Sequence, residues 1–126
     1  MAYNTISQVD FGQAIAASDF TGDLFKGAIL TGESVDLAGS AGGRIDAVVH
    51  TDAPAGISVR LVLKGVTKAS AGDSVTAGDE IAVDANGQFV TATTSDIVVG
   101  KAITEAGAQG EIFTMYFYGA DSYAAS

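Results

Sequence analysis

Apolar and polar residues alternate along much of this chain with a period of two, and glycines interrupt the alternation roughly every 8–12 residues, which predicts short strands joined by turns. Residues 57–64 show the pattern best. Ile57, Val59, Leu61 and Leu63 fall on one face and Ser58, Arg60 and Lys64 on the other, with Val62 as an apolar intruder on the outer face. A helix would scatter those four apolar residues around its circumference. Residues 80–84 and 88–93 read as two strands of a hairpin whose tip is Asn86-Gly87, a pair that tolerates the positive φ angles of a type I′ turn. Further strands are predicted over 97–104 and 111–118, separated by the turn-rich stretch 105–110, and around Ile45, Val48 and Val49. Only residues 13–18 (Gln-Ala-Ile-Ala-Ala-Ser) hint at helix, and six residues are too few to hold one without tertiary support.

Two halves of the chain resemble each other. Residues 45–59 can be laid over 98–113 with one inserted residue at Gln109, Val35–Ala38 over Phe89–Ala92, and Ala17–Asp19 over Ala77–Asp79. We read two half-domain copies, each a turn, a hairpin and a closing strand pair. The expected fold is therefore all-β, a small β-sandwich or β-barrel of short antiparallel strands. The domain is placed at residues 13–118, between an extended N-terminal arm (1–12) and a small-residue C-terminal tail (119–126). The arm carries Tyr3, Ile6, Val9 and Phe11 with a single charge. It is either an anchor for a partner surface or the domain's own first strand.

Composition narrows the function. The 126 residues suffice for one domain. Fifteen acids against six bases give a net charge of −9, and the bases are scattered singly at Lys26, Arg44, Arg60, Lys64, Lys68 and Lys101. Nucleic-acid binding requires a concentrated basic footprint to displace counterions, and an anionic membrane surface makes the same demand, so neither is an expected partner. No cysteine is present, which removes disulfides and thiolate metal sites. The first eight residues lack the positive and apolar regions of a signal peptide, and no apolar run approaches the ~18 residues of a membrane span. Synthesis in a cytoplasm is expected.

Candidate catalytic chemistry is sparse. His50 is the single histidine, with no Gly-x-Ser-x-Gly elbow to complete a triad and no second imidazole for a metal site. The carboxylates, including Asp73, Asp79, Asp84, Asp96, Glu105 and Glu111, sit mostly beside glycines or at turn positions, where Asp bonds its own backbone. Residues 84–87 lack the later acidic ligands of a calcium loop, and residues 100–102 lack both the earlier glycine and the hydroxyl of a phosphate-binding loop. Residues 71–81 resemble the Gly-Asp-x-Val-x-x-Gly turn of biotinyl and lipoyl carriers, but the hairpin tip that follows has no lysine. No enzymatic activity and no cofactor are expected. One strand carries an excess of apolar side chains. Phe113, Met115 and Phe117 occupy one face of 111–118, and Ile112, Tyr116 and Tyr118 the other, so the second face is either half of a two-sided core or an interface.

The order of the turn motifs adds a resemblance. Gly65-Val-Thr-Lys68, Ala77-Gly-Asp79, Ala85-Asn-Gly87, Val99-Gly-Lys-Ala-Ile103 and Ala106-Gly-Ala-Gln-Gly-Glu111 run in sequence before an apolar closing strand. The first half adds Ala38-Gly-Ser-Ala-Gly-Gly-Arg44 and Ala47-Val-Val-His-Thr-Asp-Ala-Pro-Ala-Gly56. Over residues 13–118 the chain resembles the phage capsid cement, or head decoration, proteins. Ala47 departs from the pattern where glycine is expected, as at Gly100. The resemblance implies a compact β-domain, favoured as a trimer, on the outer capsid surface of a virion, clamping neighbouring major capsid protein subunits. A host-attachment or fibre-associated module is the alternative. Tyr3, Ile6, Val9, Phe11, Tyr116 and Tyr118 are the expected capsid or subunit contacts.

Overall fold

Thirteen consecutive residues, Ser58–Ser70, form one strand (β5) that runs through the whole molecule and is shared by two small barrels. The structure is a computed structural model, and it describes residues 9–124. The first barrel contains β1 (Val9–Ala16), β2 (Gly27–Thr31), β3 (Ser34–Leu37), β4 (Ala47–Val49) and the N-terminal part of β5. They pair in the order β1-β3-β2-β4-β5, and β5 returns to β1 to close the ring. The second contains the C-terminal part of β5 with β6 (Glu80–Val83), β7 (Phe89–Thr91), β9 (Gly100–Ala102) and β10 (Ile112–Phe117), in the order β5-β10-β9-β6-β7. A parallel bridge between Ala71 and Phe89 closes it. At Gly65, φ +121°, β5 changes partners: this residue faces Val9 of β1 and Phe117 of β10.

The fold is all-β, and each half is a closed barrel. The two barrels are copies in detail. The parallel pair Ala16–Val35 corresponds to Ala71–Phe89, and Ala28–Ala47 to Ile81–Gly100. Arg60 N donates to Thr51 Oγ1 at 2.9 Å, and at the matching place Thr114 N donates to Thr104 Oγ1 at 2.9 Å. The sequence alignments of 45–59 with 98–113 and of Val35 with Phe89 agree with these registers. The upstream match does not: Phe20 N bonds Ala53 O as Val75 N bonds Ala106 O, so Phe20 is the counterpart of Val75, and Ala17–Asp19 does not overlie Ala77–Asp79. Ala-x-Asp is a turn composition that recurs without marking the same place.

Each barrel holds its own apolar cluster. Ala14, Phe20, Ala28, Val35, Val49, Val59 and Leu61 fill the first, and Ile81, Val83, Phe89, Val99, Phe113, Met115 and Phe117 lie in the second. Val48 and Val62 join the second cluster, which explains the apolar intruder at Val62: it packs between barrels. Ile57 precedes β5 and is exposed, leaving Val59, Leu61 and the half-buried Leu63 as the inner face. Residues 13–16 are strand, with Ala14 and Ala16 buried and Gln13 and Ile15 exposed, because the seven registered pairs of β1 with β5, three of them at residues 13–15, override the helical preference of the alanines. Residues 9–12, placed in the arm on the sequence, belong to the same strand. Of the expected tail, Gly119–Asp121 forms a 3-10 turn, and β11 (Tyr123–Ala124) pairs with β8 (Ile97–Val98).

The 80–93 hairpin forms with Val83 opposite Phe89, but its turn is not type I′. Gly87 has φ +79° while Asn86 does not enter the left-handed region, and Gly87 N bonds Asp84 O at 3.2 Å. This is a type I turn ending in a glycine bulge, tightened by Asp84 Oδ1, which accepts from Asn86 N and Gln88 N. The tip also docks on the first barrel, where Gly27 N donates to Gly87 O at 2.7 Å. Gly87→Val should therefore cost about 1–2 kcal/mol or more, read as a fall in melting temperature of several degrees. An unchanged transition would show that this turn tolerates a branched side chain.

Candidate docking surface

Registered pairs in an antiparallel sheet share a face, so the pairings define what the outside of the sheet presents. Along β5 the residues on this side are Arg60, Val62, Lys64, Val66 and Lys68, of which Val62 is buried between the barrels and the others are at least partly exposed. Phe11 stands opposite Val62, Tyr116 opposite Val66, and Lys101 opposite Tyr116. Four of the six bases, Arg60, Lys64, Lys68 and Lys101, thus share a face that also exposes two aromatic rings, in a chain of net charge −9. Sequence reading saw these bases as scattered because strand pairing, not chain order, brings them together.

Two clusters occupy this face. The first is a groove of about 220 Å³ lined by Phe11, Phe25, His50, Val62, Val66, Thr67 and Lys68. His50 meets the Phe11 ring edge-on at 5.0 Å between centroids, and its buried Nδ1 has no hydrogen-bond partner among the described residues. The Arg60 guanidinium lies 5.3 Å from the centre of Phe11, and the Lys68 ammonium 5.9 Å from the centre of Phe25. Lys64 instead pairs with Asp121.

The second is a run of tyrosines. Tyr116 and Tyr118 meet edge to face at 5.6 Å, and Tyr118 stacks on Tyr123 at 6.2 Å. Beneath them Phe113, Met115 and Phe117 are buried, so the aromatic outer face of β10 is indeed exposed rather than the second half of a core. Tyr116 is 42% exposed and Tyr123 44%.

Elsewhere several carboxylates serve turns. Asp79 Oδ2 accepts from Thr76 N and Thr91 Oγ1, Asp96 Oδ2 from Thr93 N and Oγ1, and Glu111 Oε1 from Gly107 N. Asp19 does the same for Thr21, and the backbone N–H it accepts holds its carboxyl below the usual range. Among the described residues no three histidine, aspartate or glutamate side chains converge as metal ligands. The arrangement offers adhesion, through rings and cations.

Residues 23–117 match the phage cement protein family. The chain belongs to that family. It is thus a phage structural protein, in keeping with the order of turn motifs in its sequence. Its fold is also that of the base of the head fibre gp8.5 of bacteriophage phi29, with a TM-score of 0.69 and 17% identity over 94% of this chain and 99% of that one. No curated relative matches the chain.

Of the contact residues expected in this cement-family chain, Tyr3 and Ile6 lie outside the described residues, and Val9 begins β1. Phe11 lines the groove, and Tyr116 and Tyr118 form the tyrosine run. Sequence reasoning missed Phe25, His50 as a groove residue, Arg60, Lys68 and Tyr123. Tyr123 was hidden in a segment read as tail, yet its hydroxyl donates to Glu80 across 43 residues of sequence. That bond, helped by the nearby Glu80 charge, pushes the Tyr123 pKa up to about 12. Burial, reinforced by Glu80 and Tyr116, raises Tyr118 as well. A raised phenol pKa means that the folded state keeps its proton longer than the unfolded chain. The stabilisation is complete below pH ~10 and disappears as pH rises through about 12. Tyrosinate absorbance should show a late-titrating group that Tyr123→Phe removes; loss instead of a phenol titrating near pH ~10 would place Tyr123 away from Glu80.

Proposed function

We propose that this protein decorates the outer surface of a phage head and clamps adjacent major capsid protein subunits, acting as a trimer. The observation that supports it is the exposed face of β5 and β10, where aromatic rings alternate with cations on an otherwise acidic member of the cement family. Interfaces concentrate aromatic side chains and arginine, and desolvating an exposed apolar patch is the main driving force of association. Clamping requires no chemistry. It requires only that the protein bind two capsid subunits better together than apart, which opposes their separation.

The test is to add purified protein to heads that lack it, to follow co-sedimentation, and to measure rupture on heating or at low salt. Bound protein should raise the rupture temperature, and sedimentation equilibrium should give three times the chain mass. Equal rupture temperatures with and without bound protein would remove the clamping role. A second reading, a fibre base that anchors a further binding module, is favoured by the shared fold with the phi29 head-fibre base. It predicts binding to heads without any gain in rupture temperature.

A further inference from the structure

The internal repeat shows where the two barrels have diverged while their backbones stayed alike. Phe25 N bonds Val49 O at 2.8 Å, and at the equivalent place Gly78 N bonds Ala102 O at 2.8 Å. Both residues are left-handed, with φ +65° at Phe25 and +93° at Gly78. Glycine suits that conformation; a phenylalanine there is strained, and such strain collects at functional sites. Residues in and beside the groove follow suit. His50 and Arg60 correspond to Ile103 and Thr114, by the shared bonds of His50 N to Arg60 O and Ile103 N to Thr114 O. Phe11 corresponds to Val66 through the pairs Phe11–Val62 and Val66–Tyr116. The first barrel has thus placed two rings, an imidazole and a guanidinium where its copy has glycine, valine, isoleucine and threonine.

What would such a groove receive? Its walls are mostly apolar, and among the described residues no carboxylate lines it. Among the described residues neither Arg60 nor Lys68 has an acidic partner, although the chain carries fifteen acids. His50 Nδ1 is a buried polar atom with no partner among the described residues. Arg60 and Lys68 stand eight residues apart on β5, roughly 26 Å of extended chain, so one carboxylate cannot serve both. We propose that the groove binds an extended acidic segment of the protein on which this chain docks, with apolar side chains against Phe11, Phe25, Val62 and Val66 and a carboxylate near each of Arg60 and Lys68. This deepens the decoration reading by naming the chemistry of the partner.

The probe is a capped octapeptide with glutamate at both ends and leucines between serines, set against a twin with lysine for glutamate. Titrated into the isotope-labelled full chain, the acidic peptide should shift the amide signals of His50, Thr67 and Lys68 saturably, and its lysine twin should not. The double variant Arg60→Glu with Lys68→Glu should weaken binding at least tenfold. Phe25→Gly should do the same while keeping a cooperative melting transition, since glycine is what the second barrel uses at that place. Binding of both peptides alike, no saturable binding, or undiminished binding by both variants would overturn the proposal. Co-sedimentation with heads separates the two readings. If the double variant attaches to heads as well as the original chain does, decoration stands and the acidic segment falls. If the peptide binds as expected but the chain does not attach to heads, the groove assignment stands and decoration falls.

Discussion

Phe89→Ala is expected to lower the melting temperature by roughly 10 °C or more, and Phe20→Ala to do nearly as much, each within a single transition. Both rings are fully buried, Phe20 in the first cluster and Phe89 in the second. Truncating a buried phenylalanine costs about 3–5 kcal/mol, from lost transfer energy and from the cavity left behind. In a domain of this size that translates to several degrees per kcal/mol. Phe89 has an added role: its carbonyl accepts from Gly72 N, and its backbone makes the bridge to Ala71 that closes the second barrel. The single transition follows from how the barrels are joined. They share β5, and they are cross-linked by Gly27 N to Gly87 O and Ser70 N to Phe25 O. A side chain at Gly27 would press on Ile45 and Val83 at 3.0–3.2 Å, so the junction is close-packed. Neither half can open without exposing the other. Calorimetry and fluorescence on both variants check this, and two resolved transitions, with only one moving in each variant, would show that the barrels unfold separately.

Much of this architecture was legible because strand alternation has one simple cause, burial of one face. It put Phe113, Met115 and Phe117 on one face and Ile112, Tyr116 and Tyr118 on the other, and the structure makes the first face the buried one. It located the 80–93 hairpin and the correspondence of 45–59 with 98–113. The rule failed where burial is two-sided or where the partner is distant. Val62 broke the alternation because a second cluster receives it. The Ala-rich 13–16 segment carries little strand preference of its own and is a strand by virtue of β5. The groove was illegible for a further reason: its residues come from β1, the loop before β2, the end of β4 and the middle of β5, which only the barrel closure brings together. Setting the upstream register by Phe20 and Val75 would not have been enough, because two more residues lie between Phe20 and Phe25 than between Val75 and Gly78, and only the backbone bonds to Val49 and Ala102 show Phe25 standing where the copy has a turn glycine.

Removing residues 2–8 should leave melting almost unchanged and weaken attachment to heads tenfold or more, whereas removing residues 2–11 should also destabilise the domain. The division comes from where β1 starts. Val9 pairs with Gly65, Asp10 with Lys64 and Phe11 with Val62, so the longer deletion strips three registered pairs from the strand that closes the first barrel. It also removes the ring that lies against His50 and beneath Arg60. The shorter deletion leaves every described strand intact and takes away Tyr3 and Ile6. Ordering such a segment costs about 1 kcal/mol or more per residue in backbone entropy, which apolar burial against a partner would offset. We expect Tyr3 and Ile6 to supply that burial at the capsid, and a tenfold loss of affinity corresponds to about 1.4 kcal/mol. Thermal melting and head co-sedimentation on the two truncations, run side by side, give the answer. If the 2–8 deletion attaches as tightly as the full chain, residues 2–8 are no anchor, and docking rests on the groove and the tyrosines. If it unfolds instead, those residues serve the domain itself, and the attachment role assigned to them falls.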